Sequence, residues 1–204
     1  MLDRALIKAV SGGLQWIATA LIHKGVKADM VSWAGFLIGM AAVPLIITQN
    51  YHWALVCIGL NRLADGLDGT IARLTKPTDR GAFLDISLDF LFYSAIPLGF
   101  ALAAPEKNAL AATVLIYSFV GTGCTFLAFA VMAAKRGLTS TRYPHKGFYY
   151  LGGLTEATET ILVFVLMCLF PDWFPILAYG FAGLCAITIF TRIVAGCYNF
   201  SDKE

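Results

Sequence analysis

The 204 residues are 58% hydrophobic and 14% charged, with a mean hydropathy of +0.72 and a formal net charge of +2. That balance excludes a water-soluble domain, and so small a net charge gives no basis for nucleic-acid binding. The chain reads as an all-α integral membrane protein with one domain over 1–204, comprising a juxtamembrane helix at 1–27 and a bundle of six transmembrane helices at 28–200.

The first 25 residues, MLDRALIKAVSGGLQWIATALIHKG, interrupt their apolar run with Asp3, Arg4 and Lys8 and repeat apolar residues at helical spacing. This predicts an amphipathic helix on the membrane surface rather than a cleaved signal segment. Six apolar stretches follow, at about 30–48, 53–71, 83–104, 109–134, 148–170 and 174–194, each near the roughly 20 residues that a spanning helix needs. Arg4, Lys8, Lys24 and Lys27 precede the first stretch; Arg73, Lys76 and Arg80 follow the second; Lys135, Arg136, Arg142 and Lys146 follow the fourth. The opposite connections carry only Lys107, so the positive-inside bias places both termini in the cytoplasm. The five cysteines, Cys57, Cys124, Cys168, Cys185 and Cys197, fall in apolar stretches without metal-ligand spacing and read as small core residues. Gly121 and Gly123, and likewise Gly152 and Gly153, read as close helix contacts.

Acidic residues concentrate in LADGLDGTIARLTKPTDRGAFLDISLDF, residues 63–90. On a helix, Asp65, Asp68, Gly69, Ala72 and Arg73 share roughly one face. Pro77 breaks the chain and Thr78 or Asp79 can cap a new helix, on which Gly81, Asp85 and Asp89 form a second stripe at steps of four. A short turn makes the helices antiparallel and lets the stripes face each other near the cytoplasmic surface. Four carboxylates gathered there need cations. Mg²⁺ or Mn²⁺ suits oxygen ligands and substrate phosphates, and a pair of ions could stabilise the attacking and leaving oxygens of a phosphoryl transfer. Arg73 adds a guanidinium fork for phosphate.

Read in order, Asp65, Asp68, Gly69, Ala72, Arg73, Gly81, Asp85 and Asp89 fill all eight fixed positions of a signature about 25 residues long. By that match the chain resembles the CDP-alcohol phosphotransferases of bacterial CDP-diacylglycerol-using type. The resemblance implies transfer of a substituted phosphoryl group from a CDP-linked alcohol to a second alcohol with release of CMP. It implies that Asp65, Asp68 and Asp85 bind metal, that Asp89 joins them and serves as the base, and that Asp68, Gly69, Ala72, Arg73 and Gly81 line the cytidine diphosphate pocket. It further implies a CDP-linked lipid and a small alcohol as partners, a homodimer, and an active site on the cytoplasmic side of a bacterial inner membrane. No Cys, His or Ser is forced beside the aspartates, which speaks against a covalent enzyme intermediate. Just before the first stretch the family often has a Pro-Asn step followed by Thr; this chain has Ala28, Asp29 and Ser32, which keep helix-capping chemistry.

The second polar stretch, YPHKGFYYLGGLTEATETI, puts Glu156 and Glu159 three residues apart and His145, Lys146 and Arg142 at the same mouth. Intramembrane carboxylates are functional candidates; the alternative is pairing within the bundle with Arg192 or Arg62. Glu156 and Glu159 favour an amine or the hydroxyls of a polyol, whereas Lys146 and Arg142 favour a phosphate, so the acceptor reads as a polyol or polyol phosphate ahead of an amino alcohol. A different class, a transporter or cation relay using Asp65, Asp85, Glu156 and Glu159, lacks any visible inverted repeat or matched broken helices.

Overall fold

A computed structural model of the chain describes residues 2–137 and 154–201. Every described element is helical: α1 (Leu2–His23), α2 (Ala28–Met40), α3 (Ala42–Ile47), α4 (Tyr51–Leu74), α5 (Asp79–Ala103), α6 (Pro105–Lys135), α7 (Ala157–Leu169) and α8 (Phe174–Phe200), with a 3₁₀ turn at Pro171–Trp173 before the last. Among the described residues the apolar stretches are helical apart from Ala41 and their last residues at Thr48, Ala104 and Phe170, except that the fifth is non-helical at 154–156 and helical only over Ala157–Leu169. The first is divided at Ala41 into α2 and α3, because Pro44 has no N–H to return to the turn before it.

Four helical segments are long and apolar enough to cross a membrane: Ala28–Ile47, Asp79–Ala103, Pro105–Lys135 and Pro171–Phe200. Only 22 to 39% of their most apolar windows is buried inside the protein. Trp53 is 66% exposed, Ile176 74% and Phe190 68%, which is tolerable only where the surroundings are themselves apolar. The protein is therefore an integral membrane protein. The helix α4 has 24 residues, about 36 Å at 1.5 Å per residue, but from its middle onward it carries Arg62, Asp65, Asp68 and Arg73. The 13-residue α7 follows residues outside the described range.

The core is an aromatic stack through the middle of the bundle. Phe100 lies on Phe174 with centroids 4.6 Å apart and on Tyr51 at 5.7 Å, while Phe164 meets Phe92 and Phe119 edge-on. In lipid the apolar effect does little to hold helices together, so close packing must. A Cβ on Gly35 would fall 2.4 Å from the Cβ of Ala64, and one on Gly39 would fall 2.8 Å from Asn61 Nδ2 and 2.9 Å from Phe92. These glycines, one helical turn apart, bring α2 onto α4. The expected packing at Gly121 and Gly123 is present: added Cβ atoms would come within 2.5 Å of Ile189 and 2.7 Å of Phe90, so α6 sits closely on α8 and α5. Gly152 and Gly153 lie outside the described residues.

Gly35→Leu is expected to destabilise by about 1–3 kcal/mol, the usual cost of overpacking. Gly59→Ala, where an added Cβ meets nothing within 4 Å, is the control. Thermal unfolding in detergent, followed by helical circular dichroism, separates the two.

Among the cysteines only Cys168 and Cys185 are buried; Cys57 is half-buried, and Cys124 and Cys197 are exposed on the outside of α6 and α8. Periodicity within an apolar run does not say which face meets lipid.

Candidate active site

The turn between α4 and α5 is built as its residues require. Thr75 ends α4, its N–H still bonded to Ile71 O, and Pro77 lies in the gap. Thr78 caps α5, its Oγ1 accepting from the Gly81 N–H at 3.0 Å. Leaving this turn, α4 and α5 both pack against α2.

This brings the acidic stripes together. One carboxylate oxygen from each of Asp65, Asp68 and Asp85 lies within 4.8 Å of the others. Asp68 is buried, Asp65 half-buried and Asp85 exposed, so the cluster opens on one side. Ser32 of α2 donates its hydroxyl to Asp68 Oδ2 and also bonds Ala28 O. Ser32 and Asp29 do not cap α2, whose N-cap is Lys27. Asp29 instead pairs with Arg80 at 3.1 Å, tying the start of α2 to the start of α5. Arg73 is exposed at the end of α4 and donates Nη2–H to Thr70 Oγ1 at 2.9 Å. Its guanidinium lies over Gly69, where an added Cβ would come within 3.3 Å of Nη1. Gly69, Ala72 and Gly81 are half-buried.

Asp89 lines the same small cavity as the three. Its Oδ1 accepts from Arg62 Nη2–H at 2.7 Å, and Arg62 reaches Asp65 at 3.6 Å on the other side. Arg62 was expected, if anywhere, beside the glutamates of the fifth stretch; it is committed to the aspartates.

Two spaces adjoin these groups. A cavity of about 20 Å³ lies among Ser32, Asn61, Arg62, Asp65, Asp68, Asp85 and Asp89, enough for one water-sized body. A larger cleft of about 230 Å³ has Asp85, Asp89 and Tyr93 on one wall and Thr122, Thr155, Glu156, Thr160 and Arg192 on the others. Arg192 is buried and donates Nη1–H to Thr122 O at 2.9 Å, with its guanidinium over Phe126. Glu156 and Glu159 form a capping box at the start of α7, Glu156 accepting from the Glu159 N–H and Glu159 Oε2 from the Glu156 N–H at 3.2 Å. Glu156 faces the cleft while Glu159 does not line it. Arg142 and Lys146 lie outside the described residues, as does His145.

Three hard-oxygen donors clustered beside an open mouth, with a guanidinium one turn away, form a site suited to a divalent ion and a phosphate-bearing substrate. The donor set fits Mg²⁺ or Mn²⁺ by its chemistry, and its spacing lets the three carboxylates share one ion.

Comparison with known proteins agrees with that site. The family model described as CDP-alcohol phosphatidyltransferase matches residues 26–194, and the chain belongs to that family: it is a membrane transferase of phospholipid biosynthesis. It is 54% identical over 204 residues to the inner membrane protein YnjF of Escherichia coli K12, covering 100% of this chain and 99% of that one. It is also 31% identical over 173 residues to the phosphatidylinositol phosphate synthase of Streptomyces avermitilis, covering 82% of this chain and 62% of the relative. The fold matches the Mycobacterium tuberculosis phosphatidylinositol phosphate synthase crystallised with CDP-DAG, with a TM-score of 0.74 at 18% identity over 94% of this chain and 98% of the other. The same enzyme in complex with manganese and citrate gives a TM-score of 0.72 at 21% identity over 90% and 88%.

Proposed function

We propose that the protein transfers a phosphatidyl group from CDP-diacylglycerol to the hydroxyl of a small polyol or polyol phosphate, releasing CMP. The observation that carries this reading is the meeting of Asp65, Asp68 and Asp85 from two helices at one open mouth. A fold neighbour crystallised with CDP-DAG, and in another crystal with manganese, supports the donor and the metal.

Asp65, Asp68, Asp85 and Asp89 would hold the metal, and Arg73, with Gly69, Ala72 and Gly81 leaving room beside it, would receive the cytidine diphosphate. Bound there, two Mg²⁺ or Mn²⁺ ions supply charge that neutralises the diphosphate and makes CMP a tolerable leaving group. Ser32 fixes the orientation of Asp68. Asp89, on the wall shared with the larger cleft, takes the proton of the acceptor hydroxyl as that oxygen forms its bond to phosphorus and the bond to the CMP oxygen breaks. The cleft is the acceptor's place: Thr122, Thr155 and Thr160 offer hydroxyls, Glu156 a carboxylate held by the α7 cap, and Arg192 a charge for an acceptor phosphate. Arg142 and Lys146, read from the sequence as basic residues beside this stretch, would add positive charge for an acceptor phosphate, and Glu159 acts by holding Glu156.

In this reading both termini and the site are cytoplasmic, α1 lies along the membrane surface, the bundle has six crossings with α4 and α7 included, and two copies form a dimer. Family membership sets the transporter alternative aside.

Reconstituted protein with labelled CDP-diacylglycerol and Mn²⁺ is expected to release CMP only when an acceptor is added, and fastest with polyols or their phosphates. Release with amino alcohols alone would move the acceptor class; no release from any alcohol by folded, metal-loaded protein would overturn the reading. Glu156→Gln is expected to raise the acceptor KM about tenfold, the loss of one charged hydrogen bond, with the CDP-lipid KM unchanged.

A further inference from the structure

We propose that Thr188 is a positioning residue for the acceptor: from behind the larger cleft it fixes the segment 154–156, so that Thr155 and Glu156 face the space where the acceptor is read. Its kinetic consequence rests on the proposed function. Thr188 lies about a hundred residues beyond the aspartate signature and does not itself line the cleft.

Residues 154–156, just before α7, are not helical, and a backbone N–H within a membrane bundle must find a partner outside such a segment. The Leu154 N–H donates to Thr188 Oγ1 at 3.2 Å, and the Thr155 hydroxyl donates to the same oxygen at 3.1 Å. Thr188 in turn donates its one hydroxyl hydrogen to Leu184 O at 3.1 Å. A hydroxyl has one hydrogen and two lone pairs, so this group, 0% exposed on α8, is fully satisfied and the direction of all three bonds is set. One turn further along α8, Arg192 reaches the cleft. The same helix therefore supplies the guanidinium of the cleft and the anchor for the wall that carries Thr155 and Glu156. Direction decides what that wall can recognise. With its hydrogen committed to Thr188, Thr155 presents only lone pairs. Thr160 donates its hydrogen to Glu156 O and Thr122 donates to Phe119 O, both at 3.0 Å, while the Glu156 side chain accepts the Glu159 N–H. Four groups of the cleft thus accept hydrogen bonds, which suits the hydroxyls of a polyol. Without the Thr188 oxygen, Thr155 can turn and Glu156 loses the tether two residues before it.

Thr188→Val keeps the shape and removes the hydroxyl. In the detergent-solubilised protein, hydrogen–deuterium exchange of the 154–160 peptide is expected to quicken about tenfold, as for the loss of one hydrogen bond, with peptides of α5 unchanged. Exchange at the wild-type rate overturns the proposal. In the reaction, with the polyol or polyol phosphate that the wild type uses best, the acceptor KM is expected to rise about tenfold, while kcat, the CDP-lipid KM and Mn²⁺ affinity stay within about threefold. Thr188→Ser, which keeps the hydroxyl, should bring the acceptor KM back to within about twofold of the wild type. A loss that Thr188→Ser does not repair, or an equal rise in the CDP-lipid KM, makes Thr188 a packing residue and overturns its positioning role. Because Thr188 acts through Thr155 and Glu156, Thr188→Val should raise the acceptor KM no further once Thr155→Val and Glu156→Gln are both present; multiplicative effects contradict the proposal. If the wild type releases no CMP with any alcohol, the proposed reaction falls, and the exchange of Thr188→Val against Thr188→Ser still decides whether Thr188 holds the segment. If Thr188→Val does not fold, Thr188→Ala and Thr188→Ser, which differ only in the hydroxyl, carry both measurements with the same expected contrast.

Discussion

Asp85→Asn is expected to abolish tight Mn²⁺ binding and to lower CMP release by at least about 100-fold, since even groups that only orient metal ligands are worth 10–100-fold. Asp85 is the most open of the three clustered acids, and Asn preserves its shape, so the fold should survive; unchanged helical circular dichroism and melting temperature would verify that. The effect should appear equally with every acceptor, because the lost interaction lies on the donor side. Wild-type turnover and wild-type Mn²⁺ affinity in this variant would remove Asp85 from the metal site.

Asp89→Asn should behave differently. A general base contributes about 10²–10⁴-fold, so kcat is expected to fall by that range while the CDP-lipid KM stays within about threefold. The contrast follows from Asp89 lining the larger cleft as well as the small cavity, so that its loss falls chiefly on the acceptor's proton. Steady-state kinetics with the two variants side by side reads the contrast: Asp85→Asn loses tight metal binding and rate together, Asp89→Asn chiefly rate. Wild-type kcat in Asp89→Asn would remove Asp89 as the base.

Much of this was legible from the residues. Apolar runs give helices in a membrane chain because every backbone group must be bonded within its own segment, and the aspartate stripes follow from steps of three and four on a helix. The turn at Pro77 and the cap at Thr78 were readable for the same local reason. Other features depend on partners distant in sequence. Nothing local marks Gly35 and Gly39 as the seat of α4, because glycine looks the same whether it touches lipid or another helix; its meaning appears only with Ala64, Asn61 and Phe92 beside it. Ser32 looked like a capping residue and instead holds Asp68, 36 positions away. Arg62 and Asn61 look like ordinary polar residues near a helix end, yet they organise the fourth acid. The one clue available was the rarity of a guanidinium inside an apolar run, where charge must find a partner. Glu156 and Glu159 read as an intramembrane acidic pair three residues apart, but that spacing is also what a capping box requires, and spacing alone does not distinguish the two uses.

The most direct measurement is anomalous scattering from crystals of the protein grown with Mn²⁺ and CDP. The account predicts manganese density within about 2.0–2.5 Å of carboxylate oxygens of the aspartate cluster of Asp65, Asp68 and Asp85, with the diphosphate reaching from it toward Arg73. Ordered carboxylates with no manganese between them, or manganese bound elsewhere in the bundle, would contradict it.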